Sequence, residues 1–150
     1  MKMLSGLFFL LMLLSTSTVA VEESMLMMRS TQSFPETMLA LQKHLGEYGY
    51  TISRVQRVDI GLTSSGFQTD KYRIVFYGKP EEIRTLSKRY PQLIPYLPLK
   101  MTIFAEQDET VLVALDPTML EDVVGNDEFY YTLQRWKNDI LSIMDEMREY

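Results

Sequence analysis

From residue 99 the chain reads LKMTIFAE, then Gln107, Asp108 and Glu109, then TVLVALD. Two runs rich in β-branched and apolar residues, joined by three polar ones, are read as an antiparallel hairpin with strands over 99–106 and 110–116. A hairpin is not stable alone, so the rest of the chain must supply further strands and a layer to cover one face. DKYRIVFYG at 70–78 is apolar on both alternating sets and predicts a central strand with Phe76 buried on it. SMLMMRS at 24–30 predicts a first strand. YTISRVQRVDI at 50–60 predicts another, with a kink or bulge near Val55 because its alternation is imperfect.

Helical signals separate these strands. Ser33 and Glu36 form the S-x-x-E pattern of a capping box, and Pro35 stands in the first turn, where its missing N–H costs nothing. Phe34, Met38, Leu41, Leu45 and Tyr48 recur at helical spacing, and Gly49 is placed to leave the helix in a left-handed conformation. LTSSGFQTD is a polar connection with at most a helical turn. Gly78, Lys79 and Pro80 turn the chain into a second helix with Glu81 and Glu82 at its start and Lys88 and Arg89 at its end, an arrangement that complements the helix dipole. Asp116 and Pro117 open a short helix that Gly125 ends. A long helix over about 127–148 carries Phe129, Leu133, Trp136, Ile140, Ile143 and Met147 on one side, with Trp136 as a packing anchor. The expected order is β-α-β-β-α-β-β-α-α, a single α+β domain over residues 21–150.

The leader MKMLSGLFFLLMLLSTSTVA has one charge, Lys2, an apolar stretch too short to span a bilayer, and small residues at 18 and 20. It is read as a signal peptide over residues 1–20, cleaved after Ala20, which makes the mature chain periplasmic or secreted with no transmembrane segment. Removing Lys2 leaves 14 basic against 20 acidic residues, and this acidic balance argues against nucleic acid as a partner. The absence of cysteine rules out disulfides, thiolate metal sites and thiol catalysis, so the core alone must hold an exported chain together.

The landmarks SFPET, GYTI, Val58-Asp59, FYGKP, PYLPLK, the hairpin and the closing Asp116-Pro117 appear in an order that resembles the bacterial family called domain of unknown function 302. The resemblance covers about residues 25–124, with the final helix outside it. The family's usual Gly-Asn-Pro turn is Gly78-Lys79-Pro80 here, and its histidine after Ile-Asp is replaced by Ile60. The resemblance implies a small α+β domain with a curved, mainly antiparallel sheet backed by helices, and brings no established activity.

No residue is assigned a catalytic role. Pro91, Pro95 and Pro98 are read as scaffolding that carries Ile94 and Leu97 extended into the following strand, with Tyr96 as the alternative, a residue at a pocket mouth. His44, the only histidine, is read as a boundary residue that solvates its ring. It makes no zinc site without several carboxylates, so neither metal nor cofactor is expected. Met25 and Met27 share a strand face while Met28 points away, which suits core filling better than copper(I) binding. Asp59, Glu106 and Asp116 stand near strand ends, Asp116 as a helix N-cap and Glu106 as a hairpin charge. Lys79 is a candidate anion contact at a helix start, although Gly78-Lys79-Pro80 lacks the spacing of a phosphate loop.

The aromatic load on the sheet, Tyr72, Phe76, Tyr77, Tyr90, Tyr96 and Phe104, suggests a candidate ligand pocket lined by Tyr77, Tyr96, Phe104 and Asp59. The leading expectation is a non-enzymatic exported domain that binds a small apolar ligand or an envelope partner protein on its sheet. An envelope enzyme using carboxylates and His44 is the second reading, and a structural module forming a homodimer the third. Two carboxylates within reach of His44 would favour chemistry, an aromatic pocket without ionisable groups would favour binding, and an exposed apolar patch or sheet edge would favour a module.

Overall fold

The computed structural model describes residues 24–148, apart from residue 126. The proposed signal peptide therefore lies outside the described residues. The hairpin forms as β4 (Leu99–Glu106) and β5 (Glu109–Leu115), with Glu106 opposite Glu109 and Met101 opposite Ala114. The other strands are β1 (Met25–Ser30), β2 (Thr51–Arg57) and β3 (Tyr72–Gly78). All five pair antiparallel in the order β1-β5-β4-β3-β2, an open sheet that does not close into a barrel.

The helices are α1 (Phe34–Glu47), α2 (Val58–Ser64), α3 (Pro80–Arg89), α4 (Glu121–Val124) and α5 (Asp127–Arg148). Apolar periodicity explains the two that build the core. Leu41 and Leu45 of α1, and Leu133, Trp136, Ile140 and Ile143 of α5, are buried in one cluster with Met28, Val75, Tyr77, Met101, Ile103, Leu112 and Ala114 of the sheet. Trp136 is packed edge-on against Phe129. Each such side chain contributes about 1.5–3 kcal/mol on burial. The start of α1 is held by Glu36, whose carboxylate accepts from the backbone N–H and hydroxyl of Ser33, and Gly49 leaves the helix at φ +76.

Two local expectations are corrected. The second strand stops at Arg57, and Val58–Ser64 is helical, so the order gains a helix between β2 and β3. Val58 and Ile60 are helical despite their β-propensity, and Asp59, in the first turn of this helix, forms an ion pair with Arg73 of β3. The irregularity in β2, expected near Val55, falls between Ile52 and Arg54, just before that residue. The proline segment is a 3-10 helix, Pro91–Tyr96, not an extended run. Proline's fixed φ fits either conformation, and full burial of Leu93 selects the helical one. Leu97 is extended, as expected, and the Leu97–Pro98 peptide is cis.

Register divides the sheet into two faces. Tyr77 with Leu99, and Val75 with Met101, point into the helical layer. Tyr72 with Phe104, Ile74 with Thr102, and Phe76 with Lys100 therefore point the other way. Phe76 is only partly buried, which corrects its expected place in the core. β3 is flanked by β2 and β4, as an internal strand should be.

Candidate functional site

The core carries a polar chain at its β3 end. The Tyr50 hydroxyl donates to Asp139 Oδ2 at 2.6 Å, and Arg135 Nη1 lies 3.6 Å from the same oxygen. Arg135 also pairs with Glu82, which accepts from Trp136 Nε1 at 3.0 Å, so β2, α3 and α5 are joined through side chains spread across the sequence. The Tyr50 ring stands edge-on to Tyr77 at 5.4 Å, and Lys79 Nζ sits 4.8 Å from the Tyr50 centroid. Lys79, the candidate anion contact, is thus engaged by an aromatic face. Burial and the Asp139 carboxylate raise the pKa of Tyr50 and of Tyr77, so neither supplies a phenolate at neutral pH.

Of the four candidate pocket residues, the structure brings two together. Tyr77 and Tyr96 line one cavity with Leu99, Pro117, Leu120 and Ile140, of volume about 70 Å³. The Tyr77 hydroxyl is buried with no hydrogen-bond partner among the described residues. Phe104 lies on the opposite sheet face, edge-on to Tyr72 at 6.3 Å, and Asp59 is held by Arg73. The Arg73 guanidinium keeps the Asp59 carboxyl below its ordinary pKa.

The three strand-end carboxylates do not converge; each has its own cation. Glu106 pairs with Arg29, Asp59 with Arg73, and Asp116 with Lys137 at 2.6 Å. Asp116 also caps the 3-10 helix Pro117–Leu120, accepting from the Thr118 N–H at 2.9 Å and its hydroxyl at 2.7 Å. Burial raises its pKa, but the Lys137 and Thr118 bonds together outweigh that and hold it below the usual carboxylate value. A polar cleft of about 540 Å³ opens beside it, bordered by Ser24, Glu121 and Asp122.

His44 is not at a solvated boundary. It is 4 % exposed, between α1 and α5, and its Nδ1 lies 3.0 Å from Glu47 Oε2 and 3.0 Å from Glu146 Oε2. The His44-x-x-Glu47 spacing is visible in the sequence, since residues three apart share a helix face. Glu146 is brought in only by the packing of α5.

The face of the sheet away from α1 and α5 carries several exposed apolar side chains in register. Met25, Met27 and Leu115 are 49 %, 55 % and 40 % exposed. They continue in register through Val113 and Thr102 to the partly buried Ile74, Phe76, Tyr72 and Phe104.

The family model for the domain of unknown function DUF302 matches residues 26–147. The chain belongs to this family. The match runs from β1 into the last turn of α5, so the long helix lies within the DUF302 match and not beyond it. A crystal structure of an uncharacterized conserved protein DUF302 from Bacillus stearothermophilus is similar at a TM-score of 0.76 and 17 % identity, covering 84 % of this chain and 99 % of that one. At that identity the likeness shows the fold alone. No protein with a curated description matches this DUF302 chain.

Proposed function

We propose that this DUF302 domain is an exported, non-enzymatic binding module that seats a protein partner on the face of its sheet turned away from α1 and α5. The observation that carries the reading is that face: exposed Met25, Met27 and Leu115 continue into half-buried aromatic and branched side chains, and neither α1 nor α5 covers them. Contiguous apolar surface of this kind marks interaction sites. The cavity at Tyr77 and Tyr96, about 70 Å³, is small beside the roughly 300–1,000 Å³ of small-molecule pockets, so a protein is favoured over a small apolar ligand. His44 has two carboxylates in reach, which meets the distance condition for chemistry. Neither the cavity at Tyr77 and Tyr96 nor the cleft beside Asp116 is lined by His44, and a general base needs a substrate beside it. Export is supported by the layout of the leader.

A second copy of the chain is the partner favoured by charge. Lys100 and Arg54 flank Phe76 at one end of the face, while Glu106 and Glu109, two carboxylates sharing the single cation Arg29, stand at the other. Lys100 and Glu106 belong to one strand. A two-fold axis lying across the strands sets Lys100 of each copy over Glu106 of the other, and apolar middle against apolar middle.

Sedimentation and native mass spectrometry of the purified chain test this. A doubled mass that falls to the single mass in Lys100→Glu, and returns when Glu106→Lys is added, is the expected result. A monomer at high concentration rules out the second copy. If, in addition, Met27→Asp changes no interaction of the protein, the sheet-face reading is overturned.

A further inference from the structure

We propose that His44, Glu47 and Glu146 form a binding site for a divalent transition-metal cation, with zinc the ion it suits, which ties α1 to α5. The inference is independent of the sheet-face reading. Three donor atoms from two helices converge: His44 Nδ1 stands 3.0 Å from each carboxylate Oε2, and all three lie within 4.8 Å of one another. Ligands bound tetrahedrally to zinc at about 2.0–2.2 Å stand about 3.3–3.6 Å from their neighbours, so two edges of a coordination sphere are within about half an ångström of the required length. Closing the third needs a small rotation of half-exposed glutamate side chains.

Two carboxylates address one ring nitrogen, which has at most one hydrogen to offer them. A dication between the three donors meets both anions and the nitrogen lone pair together.

The far oxygens provide a second and separate observation. Glu146 Oε1 accepts from the Tyr48 hydroxyl at 2.7 Å, and Glu47 Oε1 faces Lys43 Nζ at 3.8 Å. Glu146 is thus held from behind by a hydrogen bond, and the other oxygen of each carboxylate is presented to the imidazole. Outer partners of this sort orient metal-ligating carboxylates. The ring is buried while the two carboxylates are 50 % and 45 % exposed, so an ion can enter from solvent and water can complete its sphere. An i, i+3 pair of histidine and glutamate on one helix, completed by a glutamate from another, is also a donor geometry that helical metal sites use. One imidazole with two carboxylates suits zinc; magnesium and calcium prefer oxygen alone, and copper(I) prefers sulfur.

The test uses protein stripped with a chelator, then thermal melts and calorimetric titration with zinc chloride, with magnesium chloride as the comparison. Zinc is expected to bind one ion per chain and to raise the melting midpoint by several degrees, with magnesium inactive. Glu146→Gln and Glu47→Gln change half-exposed groups and should fold. Each should lose at least tenfold in zinc affinity, and Tyr48→Phe about tenfold through the outer bond. Cobalt(II) should give visible absorption bands with the parent chain that Glu146→Gln removes. Circular dichroism of the metal-free variants separates misfolding from lost binding. Zinc affinity unchanged in both glutamine variants, or no binding by the parent at millimolar zinc, overturns the site and leaves an adventitious surface ion at most.

Discussion

At the scale of single residues, Tyr77 and Asp116 show how burial changes what a polar group contributes. The Tyr77 hydroxyl is buried and unpartnered among the described residues, so Tyr77→Phe removes a desolvated group and orphans nothing. Its unfolding midpoint should rise, by about 1 kcal/mol in stability, and a fall would show that the hydroxyl is bonded through water. Asp116 behaves in the opposite way. Because its folded pKa is depressed, its contribution is complete above the unfolded carboxylate value of about 3.9 and is lost as pH falls through the lower folded value. Asp116→Asn should therefore flatten the acid limb of stability against pH, measured by urea unfolding between neutral pH and the acid transition. The cap at Asp116 was legible from the Asp-Pro pair. The burial of His44 was not, because a helical periodicity shows which face a residue lies on and not what a distant helix lays over it.

At the scale of elements, strand parity separates neighbours that look alike in sequence. Met101 is fully buried and Phe76 is on the face turned away from α1 and α5. Met101→Ala should cost about 2–5 kcal/mol in chemical denaturation, and Phe76→Ala less than about 2 kcal/mol, although the phenyl ring is larger. Equal losses would mean the two faces are equally covered. Gly78 marks where α3 meets the sheet: a Cβ there would stand 2.2 Å from Ile83 Cδ1. Gly78→Ala is thus expected to destabilise by about 1–3 kcal/mol through overpacking, with no positive φ involved. The capping box and the dipole charges of α3 were readable because they are local. Helix α2 and the 3-10 turn were not: each is accompanied by contacts from segments distant in sequence, the ion pair of Asp59 with Arg73 and the burial of Leu93, that local pattern does not show.

At the scale of the molecule, the open sheet has one face closed by α1 and α5 and one without them. Its β2 edge carries Arg54 and Arg57, charges that discourage pairing with another strand, whereas the apolar face has no such guard at Met25 and Met27. Met27→Asp should leave stability within about 0.5 kcal/mol of the parent, since the side chain is exposed, while abolishing self-association in sedimentation. A loss of stability matching any loss of association would place Met27 in the fold and not at an interface.

The pattern of apolar residues by itself determined the strands, the two main helices and the α+β class, because period two and period 3.6 are properties of neighbouring residues along the chain. The Asp-Pro cap, the capping box and the glycine exit at Gly49 belong to the same local physics. The pairing of β1 with β5, the sheet face left uncovered by α1 and α5 and the meeting of Glu146 with His44 were decided only by the tertiary structure. Each depends on contacts between segments far apart in sequence, and such contacts form where close packing of the core places the elements that carry them.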